Sequence, residues 1–233
     1  MAIDSTDIGG GIWQMPYRPT PLTYTVDGKT YFNERPISTQ QSGFSFVSQM
    51  RSWLPREIGG VLWFGNDDAN MIAYTPIYCG NTVQPECYNT PGADAVTFSD
   101  KNAFWVCNMV YPRYSMMFPS LKAVRDSLET NYFNNQKNIE AKALELYKSD
   151  KNAAIKYLND YSNTKAQEML DRWKTLAVYL IVKYNDMTIK PEENGTFKRT
   201  KTGIGASVER PGYPESYARQ FVKMTGDKYK VPE

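Results

Sequence analysis

Ala166-Gln-Glu-Met-Leu-Asp-Arg-Trp-Lys-Thr-Leu-Ala-Val-Tyr-Leu-Ile-Val-Lys-Tyr184 decides the fold class of the second half of the chain. Ala166, Met169, Leu170, Trp173, Leu176, Ala177, Leu180, Ile181 and Tyr184 recur at i, i+3, i+4 and i+7, one face of a 3.6-residue period, which predicts an amphipathic helix. Thr164, with Gln167 three residues on, predicts its capping box. The same spacing joins Leu121, Val124, Leu128 and Tyr132; then Ile139, Ala143, Leu146 and Tyr147; then Ala154, Tyr157, Leu158 and Tyr161. Each set reads as a helix of its own. Residues 104–117 are apolar and aromatic and are read as a buried helix that stops at Pro119. Residues 216–224 read as a short closing helix after a stretch broken by glycine and proline.

Upstream the pattern changes to strands. Leu22-Thr-Tyr-Thr-Val26 and Lys29-Thr-Tyr-Phe32 flank Asp27-Gly28. This is a hairpin signal, because a type I′ turn needs positive φ at both central residues. Residues 44–48 read as a strand buried on both faces. Val61-Leu-Trp-Phe64 and Ala73-Tyr-Thr-Pro-Ile-Tyr78 read as two further strands around the polar loop 65–70. Strands first and helices second predict one α+β domain over residues 1–233. Its parts are 1–100 mainly strands and loops, 101–187 mainly helices, and 188–233 an irregular tail with a short helix. No internal repeat is visible.

Lys and Arg number 27 against 25 Asp and Glu, so the formal charge is +2, and neither nucleic acid nor an acidic membrane surface is expected as a partner from this balance. The chain contains no histidine. A Ser-His-Asp or Cys-His site built from this chain alone is excluded, and so is any metal site that needs imidazole. Acid–base work would fall to carboxylates, Lys, Tyr or a terminal amine. Cys79, Cys87 and Cys107 match no Cys-x-x-Cys pattern. Cys79 and Cys87 could pair across adjacent strands; buried free thiols are the simpler expectation. No stretch is long and apolar enough to span a bilayer, and no leader is visible at Met1. The compartment stays open between cytoplasmic and exported.

No complete active site emerges from residue chemistry. Asp67-Asp68, beside Asn66 and Asn70, lacks the spacing of a calcium loop and reads as a turn. Asn194-Gly-Thr196 fits a glycosylation sequon that is common by chance. Lys198-Arg199-Thr-Lys201 reads as a solvated face. Trp53, Trp63, Phe64, Tyr74, Tyr78, Phe104 and Trp105 read as core more readily than as a pocket lining. No cofactor or metal is expected.

Longer motifs carry more. Glu34-Arg-Pro-Ile-Ser-Thr-Gln-Gln-Ser-Gly-Phe-Ser-Phe-Val-Ser-Gln-Met-Arg-Ser-Trp-Leu-Pro55 resembles a run in cysteine-type dipeptidases of the N-terminal-nucleophile hydrolase class, the dipeptidase A-like peptidases. So do Ile58-Gly-Gly-Val-Leu-Trp-Phe-Gly-Asn-Asp-Asp-Ala69, Thr75-Pro-Ile-Tyr78, Val83-Gln-Pro-Glu-Cys-Tyr88 and Ala103-Phe-Trp105. Arg113-Tyr-Ser115 and Arg210-Pro-Gly-Tyr-Pro-Glu-Ser-Tyr217 continue the likeness, which spans nearly the whole chain. It implies part of an αββα sandwich, a dipeptide or short-peptide substrate, and hydrolysis by an N-terminal cysteine whose own α-amine is the base. Here residue 1 is Met and no cysteine precedes Cys79. The expectation is therefore the C-terminal part of such a dipeptidase, without its nucleophile and inactive alone. The alternative is a non-catalytic binding or assembly module derived from that family.

No catalytic residue is assigned. Two residues are candidates for substrate or oxyanion support. Arg35 could hold a peptide carboxylate or steady an oxyanion, or else form a surface ion pair with Glu34 or Glu57. Asn66 could donate to an oxyanion, or be a turn asparagine. A partial sandwich should also leave sheet surface such as Val61, Trp63 or Ile77 exposed, and so favour self-association.

Overall fold

The computed structural model describes residues 11, 13–15, 21–32, 37–39, 41–89, 92, 94–95 and 105–232. The fold is mixed α+β, with antiparallel strands first and long helices second. It divides into two compact units: residues 37–110 with 118–178, and residues 1–36 with 111–117 and 179–233.

The first of these units holds a three-stranded antiparallel sheet of β3 (Phe44–Met50), β4 (Gly60–Asn66) and β5 (Thr75–Tyr78), with β4 central. The two-residue side-chain period sorts the sheet into two faces. Val61, Trp63 and Tyr78 point to one face and are buried. On that face the Trp63 and Phe133 rings lie 4.4 Å apart, and Tyr78 meets Tyr161 edge-on at 6.4 Å. Leu121, Leu128, Tyr132, Leu158, Leu170, Trp173 and Leu176 complete a helical core in the same unit.

Residues 44–48, expected to be buried on both faces, are an edge strand instead. Phe44, Phe46, Val47 and Met50 are 60%, 54%, 58% and 65% exposed. The alternation Phe-Ser-Phe-Val-Ser lacks a continuous apolar run, and β4 pairs with only one side of the strand. The expected exposed set is also corrected. Val61 and Trp63 lie in the core and Ile77 is half-buried, because the helices cover their face and leave the β3 side open.

The four predicted helices are two. Helix α1 is a single turn, Arg56–Gly59, and α2 is Trp105–Val110, followed by a 3₁₀ turn at Tyr111–Arg113. Helix α3 then runs Tyr114–Ser149, with Pro119 inside it, and α4 runs Lys151–Tyr184. Pro119 thus fails to stop a helix. It sits near the start of α3 and deletes one backbone donor, and the long apolar stripe beyond offsets that loss. The gaps between the predicted pieces, residues 133–138 and 162–165, contain no Gly or Pro, so nothing breaks the backbone there. The capping box falls with them. Thr164 lies mid-helix and its hydroxyl donates to the Asp160 carbonyl at 2.7 Å. The cap of α4 is Asp150, whose Oδ1 accepts the N–H groups of Asn152 at 2.8 Å and Ala153 at 3.1 Å.

The second unit carries the predicted hairpin, β1 (Thr23–Val26) paired with β2 (Lys29–Phe32). Asp27 at φ 50° and Gly28 at φ 73° form its turn. A smaller hairpin, β6 (Glu192–Glu193) with β7 (Thr196–Phe197), turns at Asn194 and Gly195 with φ 53° and 77°. Arg113 is buried here. Its guanidinium donates to the Tyr184 carbonyl at the end of α4 and lies 5.7 Å from the Trp13 ring and 5.9 Å from the Tyr184 ring. The negative end of the helix dipole and the two ring faces explain a cation held without a carboxylate partner among the described residues. The closing helix, α5, spans Glu215–Thr225.

Candidate functional site

Strand β4 delivers Asn66, Asp67 and Asp68 to one end of the sheet. Asn66 pairs with Phe44, and the Asp67 N–H donates to the Gly43 carbonyl at 3.1 Å, so the strand end is pinned from the β3 side. Asp67 then takes φ 80°, a left-handed conformation that Asp tolerates and most residues do not. This kink turns the chain into the loop before β5 and folds both carboxylates inward. Asp67 Oδ1 accepts the Asp68 N–H at 2.9 Å, and Asp68 Oδ1 accepts the Asn70 N–H at 2.9 Å. Ser38 Oγ takes the Asn70 N–H as well, at 2.9 Å. Arg125 donates to the Asn70 carbonyl at 2.6 Å and anchors the loop to α3.

The turn expected at 65–70 is present, but its acids are not on the surface. Asp67 is 5% exposed and Asp68 is 1% exposed. In each, Oδ2 is buried with no hydrogen-bond partner. Burial raises the Asp67 carboxyl to about 7, and the neighbouring Asp68 charge adds to the rise. Burial likewise raises Asp68 to about 6. Protonation removes the cost of an ionised carboxylate in an apolar setting. No sequence signal separates this buried pair from an exposed turn, since Asn-Asp-Asp-Ala-Asn is ordinary turn composition.

The three cysteines are free, with Cys79 exposed and Cys87 and Cys107 buried. The Cys107 thiol donates to the Met71 carbonyl at 3.6 Å, beside Asp67. Burial, and then the nearby Asp67 carboxyl, push Cys107 well above the ordinary thiol range. Burial also raises Cys87, to about 12. Neither thiol is held as the thiolate that attacks a carbonyl.

Asn66 is half-buried, and its side-chain amide donates to the Cys87 carbonyl at 3.4 Å. That ties the end of β4 to the turn Glu86–Tyr88, where the Tyr88 hydroxyl meets the Thr75 hydroxyl at 2.7 Å. Arg35 lies outside the described residues. Glu57, one of the two acids weighed as its ion-pair partner, pairs with Lys151 at 2.5 Å and accepts from the Tyr147 hydroxyl at 3.2 Å. Among the described residues no group of three or more Cys, Asp or Glu is arranged to hold a metal ion.

One cluster that sequence reasoning missed joins the sheet to α3. Arg51 follows β3 directly and forms a bidentate pair with Glu140, at 2.6 Å in each arm. Arg51 also donates to the carbonyls of Gly59 and Ile58, at 3.2 Å each. Glu140 accepts further bonds from Gln136 at 2.9 Å and the Tyr78 hydroxyl at 3.2 Å. The two partners are 89 residues apart, so no local spacing could announce the pair. Compared with known families, residues 15–129 match peptidase family C69. No curated protein matches the chain.

Proposed function

The chain belongs to peptidase family C69, and on that premise we propose that it is the substrate-supporting scaffold of a dipeptidase whose nucleophilic cysteine is not among these 233 residues. The family supports peptide hydrolysis. The finer assignment, to a cysteine dipeptidase of the N-terminal-nucleophile class with an αββα sandwich, rests on the motif likeness. The observation that carries the reading is the state of the thiols. Cys87 and Cys107 are buried with raised pKa, the chain offers no imidazole, and the carboxyl beside the Cys107 thiol, Asp67, raises that thiol further. A peptide-derived electrophile that alkylates active-site thiolates tests this by intact-mass measurement. We expect no stoichiometric adduct on Cys87 or Cys107 in the folded chain. Rapid, substrate-protected labelling of either would overturn the reading.

Arg35 is the residue proposed to hold the substrate carboxylate or the developing oxyanion. In support of this role, a proline disfavours helical backbone at the residue before it, and Pro36 directly follows Arg35. In an active parent, Arg35→Ala should lower kcat/KM by about 2–4 kcal/mol of transition-state stabilisation. Arg35→Lys should recover only part, since an ammonium lacks the bidentate fork. Unchanged kinetics in Arg35→Ala, with an unchanged melting curve, would remove it from the site. Asn66 has a weaker role in this proposal, because its amide already serves the Cys87 carbonyl.

The assembly alternative is favoured by the open β3 face. Phe44 and Phe46 stack on one another at 6.5 Å between centroids and are each more than half exposed. An unpaired, apolar edge strand invites pairing with a further strand. Sedimentation velocity should show concentration-dependent association, and Phe46→Lys should reduce it. A strictly monomeric chain at high concentration would count against this.

A further inference from the structure

Helix α5 (Glu215–Thr225) divides cleanly into two faces. At 100° per residue, Tyr217, Ala218, Phe221, Val222 and Met224 fall together on one side, and Glu215, Ser216, Arg219, Gln220 and Lys223 on the other. Among the described residues nothing buries the apolar side. Phe221, Val222 and Met224 are 44%, 57% and 79% exposed, and no residue of the helix is buried. The helix has 11 residues, its N-cap Pro214 offers no side-chain hydrogen bond, and the salt bridge it makes among the described residues is the solvent-exposed pair Arg219–Glu215. A helix this short is marginal in water without packing. Its stability calls for a covering surface that the described residues do not supply.

Charge says which surface. Residues 198–230 hold eight Lys and Arg against three Asp and Glu, within a chain that totals 27 against 25. Arg219 and Lys223 occupy the polar face, while Arg210, Lys228 and Lys230 flank the helix. Tyr213, Tyr217 and Tyr229 stand at its two ends, and the Phe221 and Tyr229 rings stack at 5.7 Å. Tyrosine suits the boundary between water and hydrocarbon, with an apolar ring and a polar tip. An apolar stripe with aromatic ends and a cationic surround matches an anionic lipid interface. No described helix is long and apolar enough to cross a membrane, so the contact would lie along the surface. We propose that α5 and its basic flanks dock the protein on anionic lipid membranes, with the Tyr217–Phe221–Met224 stripe in the headgroup boundary.

The test uses the full chain with phosphatidylcholine vesicles, with and without phosphatidylserine, at low and high salt. Co-sedimentation is expected with the anionic vesicles only, and it should weaken as salt screens the basic flanks. Lys223→Glu with Lys228→Glu and Lys230→Glu should lower the partition coefficient at least about tenfold, as should Phe221→Asp with Met224→Asp. Because α5 buries nothing, both variants should keep the parent melting curve. The proposal falls if the chain stays in the supernatant, if neutral vesicles bind it equally, or if the variants bind undiminished. It falls equally if the α5 variants turn a dimer into a monomer without lipid, which would assign the face to a second copy.

Discussion

Glu140→Ala is expected to destabilise the chain by about 3–5 kcal/mol, the range for removing one partner of a buried ion pair. The side chains of Arg51 and Glu140 are only 11% and 10% exposed, so the loss strands a guanidinium in the interior. Two backbone carbonyls would still receive Arg51, but neither carries a full charge. Tyr78 and Gln136 would lose their common acceptor at the same time. Paired replacement separates the cost of burying a lone charge from the net worth of the pair. Arg51→Met with Glu140→Leu should restore most of the stability, since apolar groups of similar volume often substitute for a buried pair at little cost. Denaturant unfolding of the parent, the single variant and the double variant decides it. A loss under about 1 kcal/mol in Glu140→Ala would show that the pair behaves as a surface bridge.

The second large effect is one of pH. Asp67 and Asp68 have folded-state values raised to about 7 and about 6, above the ordinary carboxyl value of 3.8. Between the unfolded and folded values the native state binds more protons than the unfolded state. Stability from these two groups is therefore full in acid, falls as pH rises from about 4 to 7, and is flat above that. Asp67→Asn cannot ionise, and its side-chain oxygen can still accept the Asp68 N–H. It should match the parent near pH 4 and exceed it above pH 7. The gap there should reach about 4 kcal/mol if the full shift is expressed. Glu57 and Asp126, held low by Lys151 and Lys122 respectively, act in the opposite sense, so the comparison is between variant and parent at each pH. Parallel stability curves for the two proteins would show that Asp67 is solvated.

These two clusters mark where the sequence stops being readable. The Asp27-Gly28 hairpin was legible because its turn is dictated by local backbone sterics. The strand 61–64, the strand read as 73–78 and found at Thr75–Tyr78, the closing helix and the apolar face of 166–184 were legible because burial leaves a periodic trace. Helix boundaries were not. Periodicity shows which face is apolar, but it does not show that residues 133–138 continue a helix already under way. Asp150 is a plain capping residue, yet Thr164 offered a capping box of equal quality, and only the course of the backbone tells them apart. The sequence does not show that β3 is open, because phenylalanine on an edge strand reads the same as phenylalanine in a core. The Arg51–Glu140 pair and the orientation of Asp67 depend on contacts between distant segments. Of the candidate site, Asn66 was found at a strand end as a hydrogen-bonded amide, whereas the proposed role of Arg35 still rests on the motif and on Pro36.

The central claim is that a C69 family scaffold stands here without its nucleophile. Product release from a panel of dipeptides, with and without iodoacetamide, tests it most directly. The account predicts no turnover above the uncatalysed rate in either condition. Robust hydrolysis that iodoacetamide abolishes would contradict it, by showing that Cys79, Cys87 or Cys107 attacks the peptide bond.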